Sequence, residues 1–274
     1  MNASIEQLRR LRAQAGVATL PGATPPAAAA SPSMLRSLLQ RHRRIDGGPP
    51  DRDRALPGVE VAEGLRCLET RLDWLPAPTA IATGFDRHHA DSAPIAAQRM
   101  LAFDTETTGL AGGSGTRAFM IGAADWHGGG LRIRQLLITT MAAEAAMLDR
   151  FAQWCGEHDV LVSYNGKCYD APLLAARYRL ARRANPLAGL MHLDLLHPAR
   201  RRWRGIYENC RLATIERQVL GVLREDDLPG SEAPAAWLAY LRGGSAANLR
   251  RVCTHNATDL SSLMALLLRL AAAA

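Results

Sequence analysis

Three short apolar runs, set close together and followed by alternating helix-like and strand-like sequence, constrain this chain more than any other feature. The runs are Met100–Phe103, Ala118–Ala124 and Leu131–Ile138, and His127-Gly128-Gly129-Gly130 separates the last two as a turn. Runs of this length bounded by turn residues read as strands. Helix-period sequence then extends from Ala142 to about Gly156, with Glu144, Leu148 and Phe151 at helical spacing. A short buried strand at Val160–Tyr164, a helix at Ala171–Arg183 and a short strand at His192–Leu195 follow, and the remainder is mostly helical. This order predicts an α/β domain with a mixed central sheet flanked by helices. There is no internal repeat.

The sequence before the runs is organised differently. Up to about Pro57 it is largely unable to form a core, because Ala15–Ser33 is rich in Pro, Gly and Ala, and Ile45–Pro57 in Pro, Gly and charge. Both stretches read as linkers. Between them Met34–Arg44 is a short basic helix candidate with Leu35, Leu38 and Leu39 on one side, read as a solvated helix. Val59 to Leu75 holds two extended runs around Glu63-Gly64, a hairpin leading into the main domain, and Gly84 to Ala97 reads as a loop. The expected division is a flexible, mostly disordered extension over 1–57, a lead-in hairpin and loop over 58–98, and the α/β domain over 99–274.

Composition narrows the partners. The chain has 274 residues, 48% of them apolar, enough to bury a full core. No apolar run approaches the ~20 residues that a membrane-spanning helix needs. The opening MNASIEQLRRLRAQAG has basic residues with no apolar stretch after them, so neither a secretory signal nor a membrane partner is expected. Five cysteines are scattered with no CxxC pair, which disfavours a disulfide framework or a zinc knuckle and points to a reducing cytoplasm. The net charge of +7 favours a polyanionic partner. Coding bias accounts for part of it, since nearly every cation is Arg and small residues are dominated by Ala.

Three places carry chemistry. In Leu101-Ala-Phe-Asp-Thr-Glu-Thr-Thr-Gly-Leu110, Asp104 and Glu106 stand two apart at the end of an apolar strand and share a face. Two carboxylates held side by side repel unless a cation lies between them. Read alone, the pair also fits two strand-end residues facing water. In Tyr164-Asn-Gly-Lys-Cys-Tyr-Asp-Ala-Pro-Leu-Leu174, Asp170 is placed to cap a helix, with Pro172 tolerated in the first turn. Lys167, in the same segment, is the only lysine of the chain, which suggests a need for a compact ammonium. Thr254-His-Asn-Ala-Thr-Asp-Leu260 opens the last helix, and His255 and Asp259, four apart, share one of its faces. An ordinary surface pair fits those two equally well.

Taken in order, a strand with DxE, a strand–turn–helix with Asp and a late helix with His-x-x-x-Asp resemble the DEDD exonuclease group of the ribonuclease H-like superfamily. The closer similarity is to YprB-type ribonuclease H-like proteins. It is carried by FDTETTGLAGGSGTRAF, YNGKCYDAPLL, HLDLLHPARRRW, CRLATIERQVLG, REDDLPG and HNATDLSSLMALL, with PGVEVAEGL and ETRLDW as the lead-in. The resemblance covers about Pro57 to Leu270. It implies a ribonuclease H-like fold and a metal-dependent nuclease in which Asp104, Glu106, Asp170 and Asp259 hold two divalent cations, Mg²⁺ or Mn²⁺. His255 would be the general base. Histidine-type members place His five residues before the last Asp and tyrosine-type members place Tyr four before it, so His255 sits at the tyrosine spacing.

The resemblance further implies a 3′–5′ exonuclease on DNA or RNA. A structure-selective endonuclease on the same scaffold and a non-catalytic nucleic-acid-binding module are the alternatives, and the presence of all four carboxylates argues against the last. Thr107, Gly109, Leu110, Asn165, Lys167 and Asn256, beside the ligands in their motifs, are the expected substrate contacts. Asp194, at a strand end, is expected behind the ligands. Gly112-Gly113-Ser114-Gly115-Thr116 would let the backbone approach a phosphate, or is a flexible hairpin loop. Arg200, Arg201, Arg202 and Arg204 around Trp203 offer a strand-binding patch or a solvated helix end.

Overall fold

The computed structural model describes residues 53–73, 75–109 and 115–273. The expected linkers before Asp53, the basic helix at Met34–Arg44, Leu110 and the glycine loop through Ser114 lie outside the described residues.

The apolar runs form strands in one seven-stranded sheet of order β1-β2-β7-β6-β5-β8-β9. Its members are β1 (Val59–Ala62), β2 (Leu65–Leu72), β5 (Met100–Thr107), β6 (Ala118–His127), β7 (Gly130–Ile138), β8 (Val160–Ser163) and β9 (Met191–Asp194). The hairpin around Glu63-Gly64 is present, and β2 pairs with β7 along eight residues, from Leu65↔Ile138 to Leu72↔Leu131. β5 is antiparallel to β6 on one side and parallel to β8 on the other, and β8 is parallel to β9. The sheet is therefore mixed, as expected. The stretch 84–97, expected as loop, ends in β4 (Ile95–Ala96), which pairs with β3 (Ala80–Ile81) in a separate two-stranded sheet.

Six α-helices accompany the sheet among the described residues: α1 (Glu144–Gly156), α2 (Asp170–Leu180), α3 (Leu196–Trp203), α4 (Leu212–Ile215), α5 (Ala233–Leu241) and α6 (Ala247–Ala271). α6 starts several residues before the expected Thr254, so His255 and Asp259 lie inside it rather than at its opening. Its first turns hide in a charged stretch, yet Leu249, Val252, Cys253, Asn256 and Leu260 keep a helical spacing and are all buried. Asp170 is the first residue of α2 and makes no cap; its carboxylate turns elsewhere.

Alternation along β5 sends Leu101 and Phe103 into one buried cluster, and Met100 and Ala102 into another. The first cluster gathers Met147, Leu148 and Phe151 of α1 with Trp237 of α5, whose ring stacks on Phe119 at 5.1 Å and whose Nε1–H donates to Ile138 O. The second gathers Leu263, Met264, Leu266, Leu267 and Leu270 of α6. Each such residue contributes roughly 1.5–3 kcal/mol on burial. Trp203 belongs to the second cluster and is only 8% exposed, so its face is not offered to a base. The neighbouring arginines point outward from a short helix end.

α6 lies close on β6 because of Gly122. A Cβ there would stand 2.1 Å from Asn256 Oδ1 and 2.7 Å from Leu260 Cδ1. Gly122→Ala must therefore push the helix off the sheet, and overpacking of this kind costs about 1–3 kcal/mol. Denaturant unfolding of wild type and variant should show that loss, and an unchanged midpoint would mean that α6 shifts freely.

A buried charge group fastens the other end of β6. Arg132 forks onto Asp125, with Arg134 Nη2 at 3.5 Å and His158 Nε2 at 3.4 Å, and the Arg134 guanidinium lies 4.4 Å over the Trp154 ring. Burial raises the proton affinity of Asp125, but hydrogen bonds from His158 and Arg132 outweigh it and hold the carboxyl below its ordinary value. Asp125→Asn leaves Arg134 buried without its counter-charge and should cost about 3–5 kcal/mol near neutral pH. Because the folded-state pKa is depressed, the stabilisation is complete above the unfolded value of ~3.9 and fades as pH falls through the folded one. The gap between wild type and variant should thus hold from pH 7 to about 4 and narrow only below. A gap that closes by pH 6 would contradict this assignment.

Candidate active site

The parallel pairing of β5 with β8 stops at Ala102↔Val162, while β5 runs on to Thr107 beside β6. The strands part there, and a crevice at the carboxyl ends of parallel strands is where ligands bind in open α/β sheets. Asp104 and Glu106, two apart on β5, share a face, the one that Met100 and Ala102 turn toward α6.

Asp104 is held by a chain of amides. Gln135 Nε2 donates to the Cys253 carbonyl at 2.8 Å, and a carbonyl can only accept, so the orientation of this amide is determined. The same nitrogen donates to Asn256 Oδ1 at 2.9 Å, which turns Asn256 Nδ2 toward Asp104 Oδ2 at 2.8 Å. Asn256 is fully buried between the two.

Asp170 arrives on a tight turn after β8. Asn165 adopts φ 67°, and a Cβ on Gly166 would stand 2.6 Å from the Ser163 side chain and 3.3 Å from Asp170 Oδ2. Asp194, buried at the end of β9, pins this turn by accepting from the N–H groups of Asn165 at 2.7 Å, Lys167 at 3.1 Å and Leu196 at 3.1 Å. Asp170 in turn accepts hydrogen bonds from the hydroxyl and the backbone N–H of Thr105, just where β5 has lost β8.

Asp259 and His255 lie one turn apart on α6, with His255 Nε2 3.5 Å from Asp259 Oδ2. Facing them is a loop that sequence reasoning left without a role, Gly221 to Pro229, which carries most of the REDDLPG segment. Arg224 donates from Nε to Glu216 Oε2 at 2.7 Å and from Nη2 to Glu216 Oε1 at 2.6 Å, and the same Nη2 donates to Asp259 Oδ1. Asp227 Oδ1 lies 2.7 Å from His255 Nδ1. A carboxylate only accepts, so the bond to Asp227 is made by Nδ1–H, while Nε2 faces Asp259.

The four expected carboxylates are brought together closely enough to act on one another. Burial, then the charges of Asp170, Asp259 and Glu106, push the Asp104 carboxyl well above its ordinary range. Burial, then Asp259 and Asp170, push Glu106 up to about 8, with Arg224 opposing. Burial also raises Asp170 against the Thr105 hydrogen bonds, and Asp259 against His255 and Arg224. An array of hard oxygens that hold protons this firmly suits a hard divalent cation, which relieves the repulsion. As placed, Asn256, Thr105 and Arg224 each occupy one of these carboxylates. Among the described residues no group of three or more His, Cys, Asp or Glu is arranged to hold a metal ion.

Of the expected substrate contacts, Leu110 lies outside the described residues. Thr107 is half-buried and donates from Oγ1 to Gly109 O at 3.1 Å. Asn165 is half-buried in the pinned turn, and Lys167 is exposed beside it. Asn256 lies beneath the cluster, against Asp104. Arg224, Asp227, Glu216, Gln135 and Gly122 were missed. REDDLPG is marked in the sequence only by its place among the resembling segments. No helix among the described residues is long and apolar enough to cross a membrane.

Residues 101–271 match a domain family described as the RNase_H superfamily. The uncharacterized protein YprB of Bacillus subtilis is 37% identical over 167 residues, 60% of this chain and 40% of YprB, so the match spans under half of that relative. Among solved structures, the family B DNA polymerase of the hyperthermophilic archaeon Pyrobaculum calidifontis aligns with a TM-score of 0.50 at 17% identity. That alignment covers 62% of this chain and 24% of the polymerase. At that identity the likeness speaks for the fold alone, and nucleases of this fold generally use divalent metal ions. The chain belongs to the RNase H superfamily, as a YprB-type member with a nuclease-type fold.

Proposed function

We propose that this domain hydrolyses phosphodiester bonds of nucleic acid as a 3′–5′ exonuclease, with two divalent cations, Mg²⁺ or Mn²⁺, held by Asp104, Glu106, Asp170 and Asp259. The observation that carries the reading is the convergence of four carboxyl groups from β5, α2 and α6, each raised in proton affinity by burial and two of them, Asp104 and Glu106, also by the charges of the others. When bound, such cations activate the attacking water and stabilise the leaving oxygen. The chain's own residues do the rest. Asn256 and Thr105 orient Asp104 and Asp170 through neutral donors. Asp227 keeps the His255 proton on Nδ1, so that Nε2 can take a proton from water beside Asp259. Thr107, Gly109, Leu110, Asn165 and Lys167 are the residues proposed to contact the nucleic-acid strand.

The test is cleavage of 5′- and 3′-labelled DNA and RNA, single- and double-stranded, with Mg²⁺, Mn²⁺ or chelator. Mononucleotides released from the 3′ end are expected, with activity lost in chelator and restored by either metal. Asp104→Asn and Asp259→Asn should each lower turnover by orders of magnitude while the protein stays folded, because losing a charge relieves repulsion. An internal ladder would make the enzyme an endonuclease, and binding without turnover a nucleic-acid-binding module. Hydrolysis at full rate in chelator would remove the metal-dependent reading.

His255→Ala should lose about 10²–10⁴-fold in single-turnover rate, the usual scale for a general base. His255→Tyr, which restores the residue found at this spacing in tyrosine-type relatives, should keep more activity than the alanine variant. A fully active His255→Ala would limit the residue to packing.

A further inference from the structure

Resting on the function proposed above, we propose that Arg224 is the internal counter-cation of this site, holding Asp259 until a divalent cation displaces it and thereby setting how tightly the site takes that cation. The arginine is anchored from behind. Glu216 is 1% exposed, and both of its oxygens are taken by Nε and Nη2 of Arg224 in a bidentate fork. The forward edge of the guanidinium is what reaches the cluster. Nη2 also donates to Asp259 Oδ1, and Nη1 lies 3.4 Å from Asp227 Oδ2 and 3.0 Å from His255 Nδ1. One carboxylate thus shares a single nitrogen with the anchor, and a cation that uses Asp259 Oδ1 must break that bond.

The way each partner is mounted favours exchange. Asp104, Glu106, Asp170 and Asp259 ride on a central strand and two helices. Arg224 rides on an irregular stretch that follows the π-helical turn Glu216–Leu220, with Gly221 at φ 71° and Asp226 at φ 51°. Leu223, its neighbour, is 77% exposed. Backbone of this kind opens at lower cost than strand or helix. The charge also remains unbalanced, since one guanidinium faces Asp259, Glu216 and Asp227 directly, with Glu106 near enough to feel its charge. Arg224 can therefore hold the cluster together without satisfying it.

The experiment is titration of the full chain with Mn²⁺ alone, free Mn²⁺ being counted by electron paramagnetic resonance. Arg224→Gln removes the competitor and should bind Mn²⁺ about tenfold or more tightly than wild type, the scale of a charge-assisted hydrogen bond. Arg224→Lys keeps the charge but cannot bridge Glu216 and Asp259 through a planar fork, so it too should bind more tightly than wild type. General electrostatics alone would leave the lysine variant at the wild-type value. The paired change Glu216→Gln with Arg224→Gln removes the buried carboxylate together with its partner, supplies folded protein if the single variant is unstable, and carries the same expectation. Wild type that binds Mn²⁺ with all variants equal or weaker overturns the counter-cation role and leaves the nuclease reading standing. Absence of Mn²⁺ binding in wild type and every variant overturns both.

Discussion

Repulsion among four carboxyl groups, Glu106 buried and Asp104, Asp170 and Asp259 half-buried, is the constraint that the rest of this fold is arranged to meet. Strand or helix burial alone would push each toward its neutral form, and proximity adds to that for Asp104 and Glu106. The protein answers with donors of graded strength. Asp104 receives a neutral amide, Asp170 a hydroxyl and a backbone N–H, and Asp259 a guanidinium. The neutral donors orient a carboxylate without cancelling its charge, and the one guanidinium is divided among Asp259, Glu216 and Asp227. A site that is oriented but not neutralised is what a hard cation would complete.

Orientation in turn depends on how closely α6 approaches the sheet. Asp104 pairs across to Gly122 on β6, and the missing side chain at that position is the space into which Asn256 fits. Gln135 on β7 then locks the amide from below, so three adjacent strands and one helix determine where a single carboxylate points. The turn that carries Asp170 is governed in the same way from β9, through the backbone N–H groups of Asn165 and Lys167 on Asp194. At the opposite end of β6 the single carboxylate of Asp125 is shared by Arg132, Arg134 and His158. Buried charge is thus used in two ways within one sheet, with cations in excess where it fastens the fold and carboxylates in excess at the proposed active site.

The parts legible in the sequence are those where one element carries its own signal. Apolar runs marked β5, β6, β7 and β8, and the DxE pair was visible because it directly follows one of them. β5 was read short, since Asp104 to Thr107 are polar and only the pairing with β6 keeps them extended. The start of α6 was missed because charge masks a helical spacing that is nonetheless present from Leu249. Asp170 was read as a cap from a local preference, which tertiary contact with Thr105 overrides. Gly122 looks like any strand glycine until a helix is laid over it. Arg224 meets its partners across 8 to 35 residues from an irregular loop, where no period exists to be read.

The spacing of His255 acquires a physical reason from that same loop. Four residues before Asp259 places the ring one turn away on the same face of α6, with Nε2 toward Asp259. A histidine used as a base also needs its other nitrogen occupied by an acceptor, or the tautomer is free to reverse. Here the acceptor is Asp227, three residues after the arginine that binds Asp259. The short segment from Arg224 to Asp227 therefore touches both members of the His255–Asp259 pair, one through a donor and one through an acceptor. Moving that segment would alter the tautomer of the ring and the availability of the carboxylate together. That loop would couple the two roles proposed for the last helix.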